Sequence, residues 1–167
     1  MKLYLRNGIV LGILAALVTS GAAFFSGCAS SSEPARMGSG NLVIRDSGSG
    51  RIFGKWPLED QGEFAIEFIH SVNQSPVRDF FQIDGGRIRL VAAHFYSFGA
   101  GIQTHLEEGQ VLSHEGGALI ITGYKASFNK LSYIVGTVSD HLLFINGECI
   151  SLRNLCGKNA HININFE

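Results

Sequence analysis

The sequence predicts an all-β fold, a single-domain antiparallel β-sandwich or barrel built from short strands and hairpins. Three observations carry this. Apolar residues alternate with polar ones over runs of four to nine residues from residue 42 onward. Glycine-rich turn sequences separate those runs at short, regular spacing. No stretch beyond the N-terminal 27 residues shows an apolar stripe at the helical period of 3.6.

Taken in order, Leu42–Arg45 leads through the turn Asp46-Ser47-Gly48-Ser49-Gly50 into Arg51–Trp56. Glu63–His70 follows, with Phe64, Ile66, Phe68 and His70 on one face and Ala65, Glu67, Ile69 and Ser71 on the other. Val77–Ile83 passes through Asp84-Gly85-Gly86 into Arg87–Phe95, a hairpin pattern. Ala118–Tyr124 and Leu131–Val138 read as further strands. His141–Ile145, Asn146-Gly147 and Glu148–Leu152 form the clearest hairpin signal, because a type I′ turn needs φ > 0 at both central residues. Ala160–Phe166 alternates Ile162, Ile164 and Phe166 with Asn163 and Asn165, as a final strand does.

The N-terminus has a different character. Lys2 and Arg6 precede an apolar run from Gly8 to Phe25, interrupted by Thr19 and Ser20, which is the layout of a secretory signal. The run is also borderline in length for a membrane span. Phe25-Ser26-Gly27-Cys28 resembles a bacterial lipobox, with Phe25 in place of the usual Leu. The expected organisation is therefore a lipoprotein signal peptide at 1–27, a flexible tether at 28–40 from a lipidated Cys28, and a β-domain at 41–167. The tether composition, CASSSEPARMGSG, gives a reach of roughly 20 Å. Acylation at Cys28 would hold the domain at a membrane on its extracytoplasmic side, the periplasmic side if the host has two membranes.

Removal of residues 1–27 takes away Lys2 and Arg6 and leaves eleven basic against fourteen acidic side chains, a net charge of −3. That balance gives no reason to expect a nucleic-acid partner. Two further cysteines, Cys149 and Cys156, lie seven residues apart. Straight strand would hold them roughly 23 Å apart, so a disulfide requires the chain to reverse near Arg153-Asn154. Bridge and free thiols both stay open at this point.

Several motifs bear on chemistry. Gly48-Ser49-Gly50 with Gly54-Lys55 is out of register for a phosphate loop, and Trp56 stands where Ser or Thr is required. His70 and Ser71 are neighbours on a strand and point to opposite faces, so they cannot act as base and nucleophile on each other. The six histidines are scattered singly, with no metal-ligand spacing. No catalytic residue, metal or cofactor is expected. Phe98-Gly99-Ala100-Gly101 allows close backbone approach and suits either a tight loop or a nest of amides facing an anion or a partner chain.

A strand ending in His70-Ser71-Val72, then Pro76-Val77 with an acid at Asp79, then an aromatic strand and Gly99-Ala100-Gly101, together resemble the bacterial family called domain of unknown function eighteen-fifty. The stretch from His141-Leu142 to Leu152 is similar as well, and the resemblance spans about residues 42–165. Asn73 and Arg78 depart from the pattern, standing where acidic residues are common. The resemblance implies a small secreted or membrane-anchored protein associated with tripartite transporters that use TAXI-type solute receptors, and no known reaction.

The expected function is a lipid-anchored extracytoplasmic accessory or binding module of such a transport system, not an enzyme. Its expected partners are the membrane, through the lipid, and the transporter membrane subunit or solute receptor. A structural envelope lipoprotein is the alternative, and a hydrolytic or metal-dependent enzyme the third. The candidate binding site consists of His70, Ser71, Asp79, Gly99, Ala100 and Gly101. In it Asp79 orients or charges His70 from the next strand, and the glycine loop supplies amides. The competing structural reading has His70 closing the core and the glycines making a turn.

Overall fold

The computed structural model describes residues 38–97 and 105–167. Strands β1 (Ser39–Asp46), β2 (Ile52–Glu59), β9 (Lys130–Ile134) and β12 (His161–Phe166) make one sheet in the order β2-β1-β12-β9. The second sheet contains β3 (Glu63–Ile69), β4 (Pro76–Asp84), β5 (Arg87–Phe95), β6 (Val111–Glu115), β7 (Ala118–Thr122), β10 (His141–Ile145) and β11 (Glu148–Ser151), in the order β11-β10-β3-β4-β5-β7-β6. The short β8 (Ser127–Phe128) adds to the side of β5. Every pairing is antiparallel, and the fold is all-β as expected from the alternation.

Local chemistry explains the hairpins. Asn146 and Gly147 have φ of 51° and 79°, as a type I′ turn between β10 and β11 demands. Gly85-Gly86 and Gly116-Gly117 also place two consecutive residues at positive φ, between β4 and β5 and between β6 and β7. The second of these turns joins a strand that alternation did not reveal. All five residues of β6 are exposed, so it carries no buried face to read.

The two sheets pack face to face. Leu42 and Ile44 of β1, Leu131 of β9, and Ile162 and Ile164 of β12 meet Phe64 and Ile66 of β3, Phe81 and Ile83 of β4, Ile88 of β5, and Leu143 and Ile145 of β10. These residues form one buried cluster, and burying each large side chain contributes about 1.5–3 kcal/mol.

Three expected boundaries differ. Ser39 and Gly40, expected in the tether, already pair with Glu59 and Leu58 as the start of β1. The strand expected over Leu131–Val138 stops at Ile134. The chain folds back tightly at Gly136, where a Cβ would lie 2.1 Å from the Ser139 carbonyl oxygen, and Val138 is left 94% exposed. The strand expected to run to Leu152 ends at Ser151, and one helical turn, α1 (Leu152–Cys156), follows. Ser151 caps that turn by accepting from the Asn154 amide, and Asp140 accepts from both the Ser151 hydroxyl and the Arg153 amide.

Register sets the two ends of the sandwich. Ser39, where β1 begins, pairs with Glu59 and lies beside Gly62, Glu63 and Asn146. The far end holds the last residues of β3 and β9 and the first of β10, joined by the ring contact between Tyr133 and His141.

Candidate functional site

His70 follows the last residue of β3 and begins the turn to β4. The Val72 and Asn73 amides donate to its Nδ1 at 3.3 and 3.4 Å. Its own backbone N–H donates to the Ser75 carbonyl, and its carbonyl accepts from Gln74. The imidazole therefore does the work an Asn or Asp side chain does in an Asx turn, with its proton on Nε2. Ser71 is exposed, and its carbonyl accepts from the Gln74 side chain.

Asp79 is not beside His70. The β3–β4 register places it across from Ile66, and the β4–β5 register across from Ala93. His70 lies four residues further along, roughly 13 Å of strand. The expected pairing of the two is thus replaced by a different neighbourhood. Asp79 shares the inner face of β4 with Val77, Phe81 and Ile83, all buried. Burial pushes its pKa from 3.8 up to about 6. Its charge is felt by two phenols: burial and then Asp79 raise Tyr133, and burial followed by Asp79 and Glu107 pushes Tyr124 up to about 12. Next to Tyr133 stands His141, ringed by Phe68 and Tyr133 with centroids 5.8 Å away in each case, its Nδ1 accepting from the Gly136 amide at 3.2 Å. Burial lowers the pKa of His141. Nothing in the sequence marks Tyr124, Tyr133 or His141 as more than strand residues. The alternation Val77, Asp79, Phe81, Ile83 was the available signal that Asp79 faces inward.

The outer face of the larger sheet carries a second feature. One register row runs Cys149, Phe144, Ala65, Phe80, Ala92, Thr122 and Val111, crossing from β11 to β6. Between the rings of Phe144 and Phe80, Ala65 is only 4% exposed although it points away from the core. Together they line a groove of about 430 Å³, closed on one side by the Asn146-Gly147 turn. The row beside it is polar at its centre: Arg78 forks onto Glu67 at 2.6 and 2.9 Å and stacks its guanidinium over the Phe144 ring at 4.1 Å. Phe80 rests on His94, with ring centroids 4.4 Å apart.

Gly99, Ala100, Gly101 and Cys28 lie outside the described residues. The bridge left open between Cys149 and Cys156 is not formed; both are free thiols. The physical reason is facing. Cys149 pairs with Phe144 on the outer face, whereas Cys156 packs against the core at the end of α1. Among the described residues no three His, Cys, Asp or Glu side chains converge as metal ligands.

A model of the family described as Domain of unknown function (DUF1850) matches residues 64–152, just over half of the chain. The chain belongs to this family. The DUF1850 match covers β3 to β11, and so every strand of the larger sheet, Asp79 with its tyrosines, and the outer groove. β1, β2 and β12 lie outside it, so the strands that cover the larger sheet come mostly from flanking sequence. No curated protein and no solved structure matches the chain.

Proposed function

We propose that the protein is a lipid-anchored extracytoplasmic accessory module that binds a component of a tripartite solute transport system. The DUF1850 match over residues 64–152 supports this reading only through the family resemblance, which implies a small membrane-anchored protein associated with such transporters. The lipobox-like Phe25-Ser26-Gly27-Cys28 supports the anchor. The position of β1 supports it further: the first strand begins at Ser39, and its first residue sits at the end of the sandwich opposite the His70 turn. A domain tethered there presents its far-end loops and its outer sheet face to neighbours. In this reading it binds and positions, and catalyses nothing.

The test has two parts. Metabolic labelling with a palmitate analogue should tag the wild-type chain and leave a Cys28→Ala variant untagged. Crosslinking in native membranes, read by mass spectrometry, should recover a transporter membrane subunit or its solute receptor. Recovery of envelope structural proteins alone would replace the reading with that of a structural envelope lipoprotein.

A further inference from the structure

The apolar row on the outer face is long for a sheet surface turned away from the core. It crosses seven strands, and at about 4.8 Å per strand spacing it measures roughly 29 Å. That is the span of an extended chain of about nine residues. A small molecule would fill the groove over Ala65 and leave the rest of the row bare.

Charge around the groove is one-sided. Arg78 is committed to Glu67 and to the Phe144 ring. Arg89 is committed to Gln82 and Asp84. Glu63 receives only a 3.5 Å contact from Gln82. Glu148, at the start of β11, has neither ion pair nor hydrogen bond among the described side chains. Glu63 shares the outer face with Ala65 and lines the groove where it meets the Asn146-Gly147 turn, whereas Glu148 is paired with Ile145 on the core-facing side.

We propose that this face docks an extended peptide segment of a partner protein, with an aliphatic or aromatic side chain seated over Ala65 between Phe80 and Phe144, and a lysine or arginine set against Glu63. The aromatic walls supply the desolvated pocket in which interface energy concentrates. Glu63 chooses the sign of the partner and disfavours acidic segments. The assignment depends neither on the lipid anchor nor on a transporter as partner.

The experiment is selection of a random nonapeptide phage library on the immobilised full chain in detergent. Enriched peptides should carry Lys or Arg within a few residues of an aromatic or aliphatic side chain. Synthesised, they should slow iodoacetamide alkylation of Cys149, which lies in the groove wall, and leave Cys156 unaffected. Phe80→Ala should weaken them about tenfold or more. Glu63→Lys, at an exposed position, should do the same. Absence of enrichment, acidic consensus sequences, or equal binding to the charge-reversed variant would overturn the proposal. So would concentration-dependent self-association that itself shields Cys149, because the occupant would then be a second copy of the chain.

Discussion

Asp79 lies directly across from Ile66 in the β3–β4 pairing, so a carboxyl group enters the interior row of the larger sheet. The same register removes it from His70 and brings its charge to Tyr133 and Tyr124. An aspartate held in this way makes stability depend on pH. The folded pKa of about 6 lies above the ordinary 3.8, so the folded state binds the proton more tightly than the unfolded one. The stability is therefore fully present below about pH 4 and is lost as pH rises through 6, a difference of about 3 kcal/mol.

Asp79→Asn should consequently raise stability at pH 7.5 by about 2 kcal/mol and have little effect at pH 4. Urea unfolding of both proteins across pH 4–8 checks this. His141 acts with the opposite sign, because its lowered pKa costs stability as pH falls below 6.5. The difference between the two proteins isolates Asp79. Parallel curves would show that another group titrates.

His70→Ala removes the acceptor for the Val72 and Asn73 amides and should cost about 1 kcal/mol. His70→Asn should recover most of that loss, since an Asx turn satisfies the same donors. Chemical denaturation measures both. If Asn fails where His succeeds, Nε2 has a role that the turn does not explain.

Arg78 combines a two-pronged bond to Glu67 with a face-on contact to Phe144. Arg78→Ala should destabilise by about 1–2 kcal/mol, and Arg78→Lys should restore less than half, because an ammonium cannot fork onto the carboxylate and stack at once. A double-mutant cycle with Glu67→Gln separates the ion pair from the stacking; a zero coupling term would reduce Arg78 to packing.

Cys149 should alkylate readily in the folded protein and Cys156 slowly. Burial pushes the Cys156 thiol up to about 11, which keeps the reactive thiolate scarce at neutral pH. Mild oxidation should not join the two. Peptide-level mass spectrometry after iodoacetamide, with a non-reducing digest, decides both points.

The strands and hairpins were legible because their signals are local. Alternation marked the inner rows of β3 and β12, and Asn146-Gly147 marked its turn through a backbone requirement no distant residue can change. β6 was illegible because none of its residues is buried, and α1 because a single turn has no period to detect.

By itself, then, the sequence determined an antiparallel β-domain, the places of most strands and the hairpin turns between them. Tertiary structure alone decided what lies across from each residue and, where both faces of a strand carry large apolar side chains, which face turns inward. Strand β4 shows why: Val77, Phe81 and Ile83 make one face apolar, while Phe80 belongs to the other. A period of two divides residues into faces without saying which face meets the second sheet. Packing made that choice, because the face that buries Phe64, Ile66, Phe81 and Leu143 against β1 and β12 gains the larger area. Asp79 was carried inside with it, and Phe80 and Phe144 were left outside to form the groove.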